Sequence, residues 1–221
     1  MGLFSEDLAC VAEFGSHLGM APPIPPKSAV VCLPFASASL MDGALGIGEN
    51  HTEPNGRELV KLLLKRGAAG LGPRVTNLFL ELSSYGGTRD KILAEAAEKM
   101  QAGDRDRARF LAEALAVEES RSYASPRLGA LLYLGLKHGA TVHLADPMIG
   151  SGFSVTAVKR RNAATADYFK RVLSTDRGDS PASVGSLLLF GADHFKLGGG
   201  IQKLLPGLAW IFTCGRPGKP D

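Results

Sequence analysis

Residues 44–56 read ALGIGENHTEPNG: an apolar, β-prone run that ends on Gly48, Glu49, Asn50 and His51 and then passes into a helix start. The same transition recurs at residues 186–200, SLLLFGADHFKLGGG, where an apolar run enters Gly191, Ala192, Asp193 and His194. One such ending is weak as a motif. Two, each closing one of the most strand-like segments of the chain, point to a shared edge of one sheet.

Working outward from residue 44, strands and helices alternate. Asn55, Gly56, Arg57 and Glu58 carry the cap and N3 acid of a helix that runs through LVKLLLKR and stops at Gly67. Residues 75–82, VTNLFLEL, form an apolar strand with Glu81 near its carboxyl end. Gly86, Gly87 and Thr88 open a charged helical region reaching to about Ser120, and Leu128 to His138 forms a more buried helix. Thr141 to Pro147 is a strand ending on Asp146, SVTAVKRRNAATADYFKRVL is one long helix without a breaker, and SLLLFGADH and LAWIFTC complete the strands. This order predicts an α/β fold: a mostly parallel sheet with helices on both faces.

The 221 residues, 45% of them hydrophobic and 21% charged, suffice for one α/β domain. The expected division is an irregular amino-terminal arm over residues 1–41, marked by the proline-rich MAPPIPPKS, and a single domain over 42–221. A formal charge of +3 with acids and bases interspersed, as in Asp104-Arg105-Asp106-Arg107, gives no reason to expect a nucleic-acid partner. Cys10, Cys32 and Cys214 have no metal-ligand spacing and fit core thiols of a reducing compartment. No apolar run is long enough to span a membrane, so a soluble protein is expected, cytoplasmic or delivered into a host cell.

In open α/β sheets ligands bind outside the carboxyl ends of the strands. Glu49, His51, Glu81, Asp146, Asp193 and His194 all fall at such ends. Carboxylates and imidazoles converging there can hold a divalent metal or divide acid and base duties. For a lone histidine a cap or a backbone bond is the ordinary role, and Asp146 before Pro147 fits turn chemistry. The repetition of the ending is what favours a site. An acid such as Glu81 at the end of an apolar strand is costly unless paired or exposed. On the long helix, Arg160 fits a solvated face, whereas Arg161 and Asn162 precede the small Ala163 and Ala164, which would let the helix approach the sheet and direct one of the polar pair into the crevice. His138 and His143 read as structural and His17 as surface.

In this order, GENHTEPNGRELVKLLL, NLFLEL, VHLADP, RRNAATADYF and LLLFGADHF resemble the superfamily that joins erythromycin esterases, ChaN-like haem-binding lipoproteins and TraB/Tiki proteins. The resemblance covers about Leu45 to Leu205 and implies a hydrolase, a peptidase or esterase acting on a peptide or a small ester. It carries over Glu49, His51, Glu81, Arg161 and His194 as catalytic residues; Asp146, Asn162 and Asp193, polar at the same edge, are expected toward the substrate. It also implies a divalent metal, Mn, Co or Zn, on Glu49, His51, Glu81 and His194, with haem binding by a ChaN-like module as the alternative. Related domains inside bacterial toxins extend the expectation to an effector acting on a host protein. Two departures stand out: the acids fall at different places in the two motifs, Glu49 second and Asp193 third, and there is no lipobox cysteine.

Overall fold

A computed structural model describes residues 29–84, 87–116, 126–147, 154–175, 184–196 and 200–213. Its elements are α1 (Ala29–Asp42), β1 (Ala44–Glu49), α2 (Asn55–Ala68), β2 (Asn77–Ser83), α3 (Thr88–Gln101), α4 (Arg105–Leu115), α5 (Leu128–Lys137), β3 (Thr141–Asp146), α6 (Val155–Thr175), β4 (Ser186–Gly191), α7 (Asp193–Lys196), α8 (Ile201–Leu204) and β5 (Ala209–Phe212). The five strands form one sheet in the order β3-β2-β4-β1-β5, and every pairing is parallel. The α/β class and the helices on both faces are therefore as the alternation of elements requires.

Successive strand residues point to opposite faces, and both faces are covered. Leu45, Ile47, Leu78, Leu80, Leu187, Leu189 and Ile211 pack with α1, α2, α4 and α5. Phe79, Leu188 and Phe190 pack with Ala166 and Phe169 of α6 and with Phe195, Ile201 and Leu205. The chain thus leaves β1 and β2 toward one face, and leaves β3 and β4 toward the other. β4 lies between β1 and β2, so outgoing connections diverge on both sides of its carboxyl end. This is the topological switch point at which an open α/β sheet forms its crevice.

Part of the expected arm belongs to the domain. Residues 29–42 are helical despite Pro34, and Cys32, Ala36 and Leu40, spaced one helical turn apart, are fully buried in the core. Proline reads as a breaker because it lacks an N–H, but here the apolar face of α1 outweighs one lost backbone bond. Residues 1–28, with Cys10 and His17, and likewise Cys214, lie outside the described residues. The charged helical region divides into α3 and α4 around Gly103, whose φ of 83° is left-handed; residues 117–120 lie outside the described residues. Asn55 does not cap α2. Pro54 occupies the cap position, and the Asn55 amide donates instead to the Thr213 carbonyl at 3.3 Å.

Candidate functional site

Glu49 is the last residue of β1, and its carboxylate is buried with Arg57 of α2. Arg57 Nε lies 3.1 Å from both carboxylate oxygens and Nη2 lies 3.0 Å from Oε1, while Nη1 reaches the Pro126 carbonyl at 3.4 Å. A fully buried charge is tolerated only when paired and hydrogen-bonded in this way. The close approach of α2 needs Gly56. A Cβ there would stand 2.8 Å from Glu49 Cβ and 2.8 Å from Thr213 Oγ1.

The same Glu49 Oε1 lies 3.0 Å from His51 Nδ1. An ionised carboxylate can only accept, so Nδ1 carries the proton and Nε2 faces the crevice. The His51 side chain is 34% exposed, against 2% for Glu49. Burial, the largest single influence, lowers the His51 pKa, but the hydrogen bond to Glu49 and the charges of Glu81 and Glu49 outweigh it, with Arg57 opposing, and the net shift is upward from 6.5.

Glu81 enters from β2. Its strand pairs with β4 from Asn77 to Leu80 and then stops, and its register with β3 shifts between Leu80 and Ser83. The interruption directs the carboxylate over the end of β4, where Oε2 accepts the Gly191 amide at 2.5 Å. Oε2 also lies 3.7 Å from His51 Nε2, and Oε1 lies 3.0 Å from His194 Nε2. Burial, the largest influence, pushes the Glu81 pKa up. The hydrogen bond and charge of His194, the His51 charge and the Gly191 amide prevail and bring it down from 4.5 to about 2. A Cβ on Gly191 would sit 3.0 Å from His51 Nε2 and 3.2 Å from Glu81 Oε2, so glycine serves here for close approach, its φ not being left-handed.

His194 lies on α7, 3% exposed at its side chain. Asn162 of α6, fully buried, meets it twice: Oδ1 is 2.5 Å from His194 Nδ1, and Nδ2 donates to the His194 carbonyl at 3.0 Å. Arg161, from the same helix turn, places Nη2 2.7 Å from His194 Nε2 and 3.5 Å from Glu81 Oε1, and Nη1 3.6 Å from Asp146 Oδ2. Its Nε is buried without a hydrogen-bond partner.

The sheet edge therefore brings together Glu49, His51, Glu81, Asp146, Arg161, Asn162 and His194. Asp193 is apart from them: it is exposed at the first position of α7. Asn162 contacts His194 rather than open crevice. Arg160 is exposed, as is Ala163, and α6 approaches the sheet through Val158, Asn162, Thr165, Ala166 and Phe169 instead. His143 is held by Asn77 at 3.0 Å and stacks on Phe79 at 4.4 Å, a structural role. Arg57 is the residue that motif reasoning passed over. The available signal was a lone basic residue in the first turn of a helix, where the dipole disfavours it unless an acid is near.

The four side chains expected to hold a metal are committed to one another and to other protein groups. Arg161 occupies His194 Nε2, Arg57 and His51 share Glu49, and Glu81 takes the Gly191 amide and His194. Among the described residues no group of three or more His, Cys, Asp or Glu side chains is arranged to hold a metal ion. A metal there would require these contacts to be given up. Among the described residues no helix is long and apolar enough to cross a membrane. Comparison of the chain with protein-family models, with curated proteins and with solved structures found no match in any of the three.

Proposed function

We propose that the crevice at the carboxyl edge is the active site of a hydrolase that cleaves an ester or amide bond, with His51 as the acid–base group. The observation that supports it most is the chain Arg57–Glu49–His51, fully buried at one end and open to solvent at the other. Glu49 holds Nδ1–H, orients the ring and stabilises the imidazolium that forms when Nε2 takes a proton from an attacking water. Arg161 supplies positive charge for the oxyanion as the bond breaks. Its Nη1 contact to Asp146, 3.6 Å, is loose and leaves that nitrogen able to turn to the substrate.

The reaction needs His51 neutral. Its pKa is raised above 6.5, so kcat/KM rises with pH through that higher value and not at the ordinary one. Protein purified without chelator is assayed on an activated small ester, an unstructured peptide and a folded protein, the last because an effector domain would act on a host protein. Replacing His51 by Ala is expected to reduce turnover by about 10²–10⁴-fold. Turnover that is unchanged in that variant rules the proposal out.

A metal-dependent form of the same proposal requires Arg161 to withdraw from His194 Nε2. Metal content after purification, and loss of turnover in chelator with recovery in Mn, Co or Zn, would favour it. A visible absorbance band on adding haem, with no turnover of any substrate, would favour a binding module instead.

A further inference from the structure

We infer that Asn162 is a positioning residue that fixes the tautomer of the neutral His194 ring, with the proton on Nδ1 and the lone pair of Nε2 facing Arg161 and Glu81. The function this would serve rests on the hydrolytic proposal; the physical claim and its test do not.

The inference follows from counting donors and acceptors around one amide. Asn162 has a single oxygen and a single NH₂. Its Nδ2 lies 3.0 Å from the backbone carbonyl of His194, which can only accept. Reversing the amide would set two oxygens against each other, so the orientation is determined by chemistry rather than by choice. Oδ1 then faces His194 Nδ1 at 2.5 Å, and between an amide oxygen and a ring nitrogen the proton must belong to the nitrogen. The amide is fully buried and cannot exchange this partner for water. Phe190, edge-on at a centroid distance of 5.4 Å, packs beside the ring.

The consequence appears at the other nitrogen. Nε2 lies between a pure donor, Arg161 Nη2 at 2.7 Å, and a pure acceptor, Glu81 Oε1 at 3.0 Å. With the proton on Nδ1, Nε2 of the neutral ring is left to accept from Arg161. His51 is held in the same tautomer by a different device, the Glu49 carboxylate. Both rings thus present Nε2 toward Glu81, one backed by a charge and the other by a neutral amide.

The test is two-dimensional ¹H–¹⁵N NMR of intact protein labelled at histidine nitrogen, with His194 assigned by difference against His194→Gln. Spectra are taken at alkaline pH, where imidazole side chains are ordinarily neutral. The expected result is the Nδ1–H tautomer. The Nε2–H tautomer, which free imidazole side chains favour, would overturn the inference. Asn162→Asp keeps an acceptor for Nδ1–H and should keep the tautomer. Asn162→Leu removes the acceptor and should shift the neutral ring toward Nε2–H, with Glu81 accepting. A tautomer that is the same in Asn162→Leu and wild type would also overturn it. Should Asn162→Leu fail to fold, the wild-type and Asn162→Asp spectra still decide. In Asn162→Asp, turnover should be partly retained, with the kcat pH profile displaced more than KM, which a purely structural role would not produce.

Discussion

The ends of β1 and β4 look alike in sequence, each an apolar strand followed by Gly-x-x-His, yet the structure uses them differently. At the β1 end the histidine side chain is 34% exposed, and the carboxylate behind it is buried with an arginine. At the β4 end the histidine is 3% exposed, the group behind it is a neutral amide, and an arginine stands in front. One motif thus presents an imidazole to the crevice, while the other buries one in its wall. The difference lies in what the next helix delivers: α2 brings Arg57 to Glu49 from one face of the sheet, and α6 brings Arg161 and Asn162 to His194 from the other.

The β1 end is broken most severely at Arg57. Arg57→Ala leaves the Glu49 charge buried without its partner, and a loss of about 3 to 5 kcal/mol is expected in urea unfolding. Replacing both partners by apolar residues, Arg57→Met with Glu49→Leu, should recover most of that stability and none of the turnover. Recovery of turnover would mean that Glu49 does not orient His51.

A smaller effect separates the histidines themselves. His194→Ala removes a buried ring and its hydrogen bond to the Asn162 oxygen and is expected to cost about 1–3 kcal/mol. His51→Ala, at a partly exposed ring, should cost less than about 1 kcal/mol. Both should lose turnover. Equal costs would contradict the contrast in burial.

The dependence of stability on pH sharpens the same comparison. Glu81 has its pKa lowered from 4.5 to about 2, so its contribution is full above 4.5 and fades as pH falls toward 2. His51 has its pKa raised, so its contribution is full below 6.5 and is lost as pH rises through the higher folded value. The site as a whole should favour the fold most between about 4.5 and 6.5. Unfolding midpoints measured across pH should lose the acid limb in Glu81→Gln and the alkaline limb in His51→Gln. A limb that persists in its variant belongs to another group.

The smallest change in stability is expected on α6. Arg161→Lys keeps the charge and loses the planar fork, so the protein should fold with a nearly unchanged midpoint and turn over substrate poorly. Arg160→Lys, at an exposed position, should be silent in both assays. Equal turnover of the two would return Arg161 to the solvated face of the helix.

Much of this arrangement was legible because it depends on period and position. Buried parallel strands read as apolar runs, and a polar residue closing such a run stands at the sheet edge, which located Glu49, His51, Glu81, Asp146 and His194. Sequence could not show which strands are neighbours. That β4 lies between β1 and β2 is a matter of nonlocal pairing, and it alone brings both histidines to one carboxylate. Arg57 was missed because its role is defined by a partner eight residues back across a turn. α1 was hidden because the prolines of MAPPIPPKS drew residues 29–41 into the expected arm, and a local rule about proline carries no information on the core that the helix meets. Asn162 was placed in the crevice when it lies behind it, because helical spacing gives a face and not a depth.

The division of the two histidines into one presented and one shielded is tested most directly by carbethoxylation with diethylpyrocarbonate, followed by peptide mapping, at a pH high enough for His51 to be neutral. His51 should be modified first, with His194 protected until the protein unfolds, and hydrolytic turnover should fall in step with modification of His51. Modification of His194 as fast as His51, or turnover that survives complete modification of His51, would contradict it.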